Sequence, residues 1–201
     1  MTVVDDIVIQ RLGRVDYSST AAAMREFTLS RGEGTADELW LVEHPPVYTL
    51  GQGAAPVVVA NGIAVVQSDR GGEVTYHGPG QVVLYTLVDL ARRGIKVKSF
   101  VCLLEQAVID LIGARAQRKS GAPGVYVDGA KVAALGIRVT RGRAYHGLSL
   151  NVDMDLSPFS AIDPCGYPGL PVTQMRDLGF AHEVNATGER LAANVMRLLG
   201  A

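Results

Sequence analysis

Cys165 lies in Asp163-Pro-Cys-Gly-Tyr-Pro-Gly169, a loop with no helix or strand for a thiol to pack into. Between Pro164 and Gly166 the thiol can be exposed, and Gly166 leaves room beside it for a carbonyl group. Residue types alone leave a nucleophile and an inert loop cysteine equally open. Cys102, in Phe100-Val-Cys-Leu-Leu104, reads instead as helix packing. Lys131 opens a run in which Ala133, Leu135, Ile137 and Val139 alternate, so strict alternation sets its ammonium on an apolar face. Burying that charge without a partner is costly. The plainer reading, favoured by spacing alone, is a lysine beside a hairpin turn whose stem reaches back to water. Brought together, the two residues have a coherent chemistry. A nearby ammonium stabilises a thiolate and lowers the thiol from its free value of about 8.5, and an apolar site lowers the lysine itself.

The stretch Arg70-Gly-Gly-Glu-Val-Thr-Tyr-His-Gly-Pro-Gly80 is the densest in special residues. Paired glycines allow sharp turns or close approach of backbone to a ligand. Val74 and Tyr76 alternate with polar neighbours, as in a strand, and Gly78-Pro79-Gly80 breaks the run. His77, beside glycines, reads either as a turn histidine or as a ligand-site residue able to hydrogen-bond a carbonyl. His44, before two prolines, is as well suited to holding backbone as to chemistry. His146 falls on an apolar strand face and reads as a core histidine, and His182 as a surface one. No HExxH or CxxC spacing is present, so no metal is expected. No GxxxxGK[ST] is present either, and Gly51-Gln-Gly53 lacks the strand-to-helix context of a nucleotide site.

These residues need elements to hold them. At 201 residues and 48% hydrophobic, the chain suits one domain spanning 1–201 with a sizeable core. A formal net charge of −1 gives no case for nucleic acid or an anionic membrane surface. The first ten residues have no basic n-region, no run reaches the ~20 apolar residues of a membrane span, and two dissimilar cysteines do not suggest a stapled fold. A cytoplasmic protein is the default expectation.

Asp6 to Leu12 reads as a strand, Tyr17 to Leu29 as a helix capped by Asp16 or Ser18, and Glu38 to Glu43 and Val47 to Leu50 as strands. Val57 to Val59 and Ile63 to Gln67 read as short strands about Asn61-Gly62. Val82 to Val88 is an apolar strand, Lys98 to Arg118 the clearest amphipathic helix, and Gly124 to Asp155 a β-meander turning at Asp128-Gly129 and at Arg141-Gly-Arg143. Leu156 to Pro171 is a long proline-rich loop of the kind that carries function. Thr187 to Leu199 closes the chain as a helix capped by Thr187. Hairpins dominate, which argues for an α+β fold with a mixed, mostly antiparallel sheet and helices packed on it. The basic residues Arg92, Arg93, Lys96 and Lys98, or Arg138, Arg141 and Arg143, are candidates to meet an acidic protein partner.

Three segments in order, Arg70–Tyr85, Gly129–Arg138 with His146–Asn151, and Asn151–Leu170, resemble the octanoyltransferases of lipoate biosynthesis, within the biotin and lipoate protein ligase family. The similarity runs from about Glu43 to Met175. It implies a layered fold with a larger and a smaller sheet around a ligand tunnel. It implies that Cys165 is the acyl-thioester cysteine, that Lys131 is its partner, and that Arg70, Gly71, Gly72, Glu73, Val74, Thr75, Tyr76, His77, Ala134, Leu135, Gly136, Gly147, Leu148 and Ser149 line the acyl site. The reaction implied takes an octanoyl or lipoyl group from acyl carrier protein to a lysine of a lipoyl-accepting domain. Those domains belong to 2-oxoacid dehydrogenase complexes and the glycine cleavage H protein. No ATP, metal or other cofactor is expected, and a monomer is the default. The rivals are an ATP-dependent lipoate ligase, a thiol hydrolase using Cys165 and His77, and a non-catalytic acyl binder.

Overall fold

The computed structural model describes residues 7–162, 169–180 and 183–200. Two sheets organise it. Strands β1 (Ile7–Arg14), β2 (Asp37–Glu43), β6 (Gln81–Asp89), β7 (Ala116–Arg118), β8 (Gly124–Val127), β9 (Ala130–Thr140) and β10 (Arg143–Asn151) form a seven-stranded sheet in the order β1-β2-β6-β10-β9-β8-β7. Strands β3 (Val47–Leu50), β4 (Ala64–Gln67) and β5 (Val74–His77) form a three-stranded sheet in the order β4-β3-β5. Among the described strand pairs, only β1 with β2 and β3 with β4 are parallel. The expected α+β class with one larger and one smaller, mostly antiparallel sheet is what the chain forms.

Strand β6 shows why the layers assemble as they do. All nine of its residues are buried. Val82, Leu84 and Val88 face the main core, which α3 (Val97–Ile112) and α4 (Val184–Leu199) cover. Val83, Tyr85 and Leu87 face the opposite side, where α1 (Tyr17–Ser30) packs. A near-continuous apolar run is the signature of a strand sandwiched on both faces. The hairpins at Asp128-Gly129 and Arg141-Gly142 are two-residue turns with φ of 51° and 85°, and 50° and 77°. Positive φ at both central positions matches the twist of the flanking strands.

Several boundaries depart from the sequence reading. Helix α3 stops at Ile112, because Gly113 takes φ 91° and the next residues satisfy their backbone by pairing as β7 with β8. Val57–Val59 forms no strand: β4 runs parallel to β3, so Asn61-Gly62 is not a hairpin and the segment before it has no strand partner. Helix α4 starts at Val184, a turn before Thr187, since Val184 already packs against the core; Thr187 is buried inside the helix. Asp16 does cap α1, accepting from the Ser19 amide at 2.9 Å.

Asp37 explains much of the basic cluster. It is fully buried and holds Arg31 at 2.5 Å, Arg93 at 2.6 Å and Arg92 at 2.8 Å, and it accepts from the Asp89 amide at 2.8 Å. Burial pushes its carboxyl up, but the Asp89 amide and the arginines outweigh this and hold it below the usual range. Arg143 pairs with Asp89 at 3.3 Å. Arg92, Arg93 and Arg143 therefore join the end of α1 to β2, β6 and α2 (Leu90–Arg93), rather than forming an open basic surface.

Candidate active site

A cavity of about 650 Å³ lies between β6, β9 and β10 of the large sheet and the Arg70–His77 segment. One wall is Arg70, Gly71, Gly72, Glu73, Val74, Thr75 and His77; the other is Ala134, Leu135, Gly136, Gly147, Leu148 and Ser149. Tyr76 is the exception among the residues expected there. The period of two along β5 turns it away from Thr75 and His77, and it packs on Tyr48 and Phe159 at ring-centroid distances of 5.4 and 5.5 Å.

The segment 70–73 is held rigidly. Arg70 is buried and donates to the Thr49 and Glu73 carbonyls, both at 2.7 Å, to Thr49 Oγ1 and to the Gly71 carbonyl. Its planar fork clamps the turn against β3 as a lysine's point charge would not. The Gly71 amide donates to the Ile137 carbonyl at 3.0 Å, joining the turn to β9. Such close approach needs glycine: a Cβ on Gly51 would lie 2.1 Å from the Gly72 carbonyl oxygen, and one on Gly136 2.8 Å from that of Gly71.

Lys131 does not sit on the face of Ala133, Leu135, Ile137 and Val139. Val125 pairs with Ala133, but Tyr126 pairs with Lys131, so Val132 is an extra residue in β9. This β-bulge reverses the phase of the strand. Lys131 then shares the side of its partner Tyr126, with its ammonium 5.1 Å from that ring centroid and donating to the Pro123 carbonyl at 3.2 Å. It is 3% exposed, so the snorkelling alternative fails. It lines a small recess with Thr75, Ala133, Ala134, Ser149, Asn151, Phe159 and Val172, and Thr75, Ala134 and Ser149 also line the large cavity. Cys165 lies outside the described residues, as does His182. The segments flanking residues 163–168 do converge on Lys131. Phe159, Ile162 and Val172 share one apolar cluster. The Lys131 amide donates to the Pro171 carbonyl at 2.8 Å, and the Thr173 amide donates to the Lys131 carbonyl at 2.9 Å.

The cavity floor carries groups that the sequence reading placed elsewhere. His146 is buried but does not follow the alternation of β10. Its backbone keeps its pairing with Ile137, but its φ of 61° turns the side chain off the face of Leu148 and Leu150, to line the cavity beside Tyr85. A non-glycine residue there is uncommon, although histidine is among the more tolerant. Its Nε2 contacts Asp69 Oδ1 at 2.7 Å, and Tyr145 donates to the other oxygen of that carboxylate. The His146 bond, followed by that from Tyr145, outweighs burial and holds Asp69 down to about 2. Burial, then Asp69, pushes Tyr145 up to about 12. His44 bridges the Val15 carbonyl and the Tyr85 hydroxyl, both at 2.7 Å, so it does hold backbone. Tyr17 stacks on His77 at 6.0 Å and donates to Ser68 Oγ at 2.6 Å. No local sequence pattern announces Asp69, Tyr17 or Tyr85, because their partners come from distant strands.

Residues 16–195 match the family model described as the lipoyl protein ligase A/B catalytic domain. The chain belongs to this family. It is 57% identical to an octanoyltransferase of Azoarcus sp. over 96% of this chain and 88% of that protein. It is 58% identical to one of Thiobacillus denitrificans, over 96% and 91% respectively. Relatives this similar make the chain an acyltransferase. Among solved structures, lipoate-protein ligase A bound with ATP superposes with TM-score 0.77 at 16% identity, covering 97% of this chain and 86% of that one. The bipartite lipoate protein ligase of Thermoplasma acidophilum, solved with its E2 lipoyl domain, gives 0.74 at 15% identity over 97% and 84%. At these identities the likeness speaks to the fold, and it agrees with the two-sheet architecture.

Proposed function

We propose that the chain transfers an octanoyl group, or a lipoyl group, from acyl carrier protein to a lysine of a lipoyl-accepting domain through a thioester on Cys165. The acceptors are the lipoyl domains of 2-oxoacid dehydrogenase complexes and the glycine cleavage H protein. The observation that carries this reading is the recess around Lys131. A buried ammonium opens toward the wall shared with the acyl cavity, and both flanks of the segment bearing Cys165 pack beside it.

The Cys165 thiolate attacks the thioester carbonyl, the carrier's thiolate leaves and takes a proton from the Lys131 ammonium, and an acyl-enzyme remains beside a neutral Lys131. The substrate amine then attacks that carbonyl, the Cys165 sulfur leaves, and the amine's surplus proton passes to Lys131. Lys131 in its charged form favours the thiolate in the first half and in its neutral form accepts the proton in the second. A thioester already stores the energy that a ligase draws from ATP, so neither ATP nor a metal enters this sequence. The hydrolase alternative needs His77 as base. Burial and neighbouring His44 hold His77 neutral, down to about 3, which makes it a poor one.

The test is intact-protein mass spectrometry after exposure to octanoyl-acyl carrier protein without ATP. One octanoyl group on Cys165 is expected, labile to neutral hydroxylamine and discharged onto a lysine when a lipoyl domain is added. Cys165→Ser should abolish the adduct. Lys131→Arg should retain slow acylation but transfer poorly, since guanidinium does not give up its proton. Transfer that begins only with ATP would favour the ligase, and free octanoate without acceptor labelling the hydrolase.

A further inference from the structure

The chain fixes the tautomer of His77 through a relay anchored at two backbone carbonyls. Asn151 faces the Thr173 carbonyl at 3.0 Å; a carbonyl only accepts, so the atom facing it is the Asn151 amide nitrogen. Asn151 Oδ1 therefore faces Gln81 at 2.9 Å and requires a donor there. The same Gln81 atom faces the Tyr76 carbonyl at 3.2 Å, which independently demands a donor. Gln81 thus presents Nε2 to Asn151 and Tyr76, and its Oε1 to His77 Nδ1 at 2.7 Å. An amide oxygen cannot donate, so His77 carries its proton on Nδ1.

The other ring nitrogen, Nε2, then holds a lone pair. His77 lines the acyl cavity and is 6% exposed. Its aromatic neighbours do not supply a donor. Tyr17 lies flat against the ring and gives its hydroxyl proton to Ser68. His44 meets the ring at an interplanar angle of 66°. With Nδ1–H given to the Val15 carbonyl, His44 Nε2 accepts from the Tyr85 hydroxyl, so neither of those groups has a proton to offer His77. At Nε2 the neutral imidazole only accepts; it cannot donate from there to a thioester carbonyl, contrary to what its position beside the glycines suggests.

We propose that His77 Nε2 accepts a hydrogen bond from a substrate N–H, carried either by the attacking amine or by an amide of a pantetheine-type arm, with Gln81 and Asn151 as positioning residues that keep the lone pair presented. This rests on the acyl-transfer reading above. A nitrogen held by one N–H keeps its orientation as it meets the acyl carbon, and His77 takes no proton; that remains with Lys131.

Nitrogen-15 NMR of histidine-labelled protein tests the tautomer without any turnover. The expected state at pH 7 is Nδ1–H with an unprotonated Nε2. An Nε2–H tautomer or an imidazolium overturns the proposal. Two probes then read the contact. Nε-octanoyl-lysine methylamide has the N–H, and the analogue with an ester oxygen in its place lacks it. The amide should bind about tenfold tighter, as expected for one hydrogen bond to a buried acceptor. It alone should shift the Nε2 resonance. In Gln81→Leu, where the ring is free to change tautomer, that ratio should fall toward one. S-octanoyl-pantetheine as a third probe separates the sources: an Nε2 shift with it assigns the contact to the arm, and a shift with the lysine amide alone assigns it to the amine. If no probe moves Nε2, the proposal is wrong. These outcomes do not depend on an adduct at Cys165, so failure of the relay and failure of the His77 contact are distinguishable.

Discussion

His77 gives the structure a measurable acid weakness. Burial, with the nearby charges of His44 and Arg70, holds its folded value down to about 3, against 6.5 for a free histidine. Below pH 6.5 the unfolded chain takes up a proton at this position and the folded chain does not. The unfolded state binds more protons, so stability falls as pH falls, from 6.5 toward 3. Each pH unit in that window is worth about 1.4 kcal/mol, so lowering the pH from 6.5 to 5.0 removes about 2 kcal/mol. That is a large share of the 5–15 kcal/mol typical of a domain. The assay is urea unfolding of the parent and His77→Asn at pH 7.5 and 5.0. Asparagine does not titrate here, and its amide N–H can still reach Gln81. The variant should be less stable at pH 7.5, for lost packing with Tyr17 and His44. Its loss on acidification should be smaller than the parent's by about 2 kcal/mol. His44, also held low by burial, contributes to both proteins and cancels in the difference. Equal losses would refute the reasoning, since they mean that His77 titrates freely in the fold and its surroundings do not select the neutral ring.

Two further outcomes test the scaffold. Gly51→Ala drives a methyl group into the Gly72 carbonyl at 2.1 Å and should cost about 1–3 kcal/mol by urea unfolding. It should also slow transfer, because the 70–73 wall must move; Gly32→Ala, with nothing within 4 Å, should be nearly neutral. Asp37→Asn leaves three arginines around a neutral amide and should cost about 3–5 kcal/mol; a loss below about 1 kcal/mol would mean the cluster behaves as a surface ion pair.

How far the site could be read from the sequence follows the range of the forces involved. The meander of β8 to β10 was legible because Asp128-Gly129 and Arg141-Gly142 impose local dihedrals that admit few alternatives. The apolar face of α3 was legible from its period, though its end was not, since pairing of Ala116–Arg118 with β8 outcompeted helix continuation. Arg70-Gly-Gly was recognisable as a candidate ligand site, but that its arginine, while lining the cavity, also braces β3 against the turn was not. Lys131 and His146 were misplaced for one reason: alternation assumes an unbroken strand. The bulge at Val132 is set by register with Tyr126 and by the Pro171–Thr173 backbone, and the φ of His146 by Asp69, 77 positions away. The His77 tautomer needs Gln81, Asn151 and Thr173 together, which no local window contains.

The same geometry narrows the proton chemistry that the acyl-transfer reading requires. Attack by thiol and then by amine calls for a group that changes protonation between the two halves. Among the described histidines, His44 is bonded at both ring nitrogens, and His77 is held neutral with Nδ1 given to Gln81. His146 is tied at Nε2 to a carboxylate that stays ionised to about pH 2. Tyr145, held up to about 12, keeps its proton on the way to that same carboxylate. These groups are fixed in one state across the neutral range or committed to one partner, which suits orientation better than proton traffic. Lys131 is the remaining group that the acyl-transfer reading offers for that role. Its ammonium donates to the Pro123 carbonyl, faces the Tyr126 ring and lines the recess beside the cavity wall. The bulge that sets Lys131 on the Tyr126 side thus also brings it to the wall of Thr75, Ala134 and Ser149 that the recess shares with the large cavity.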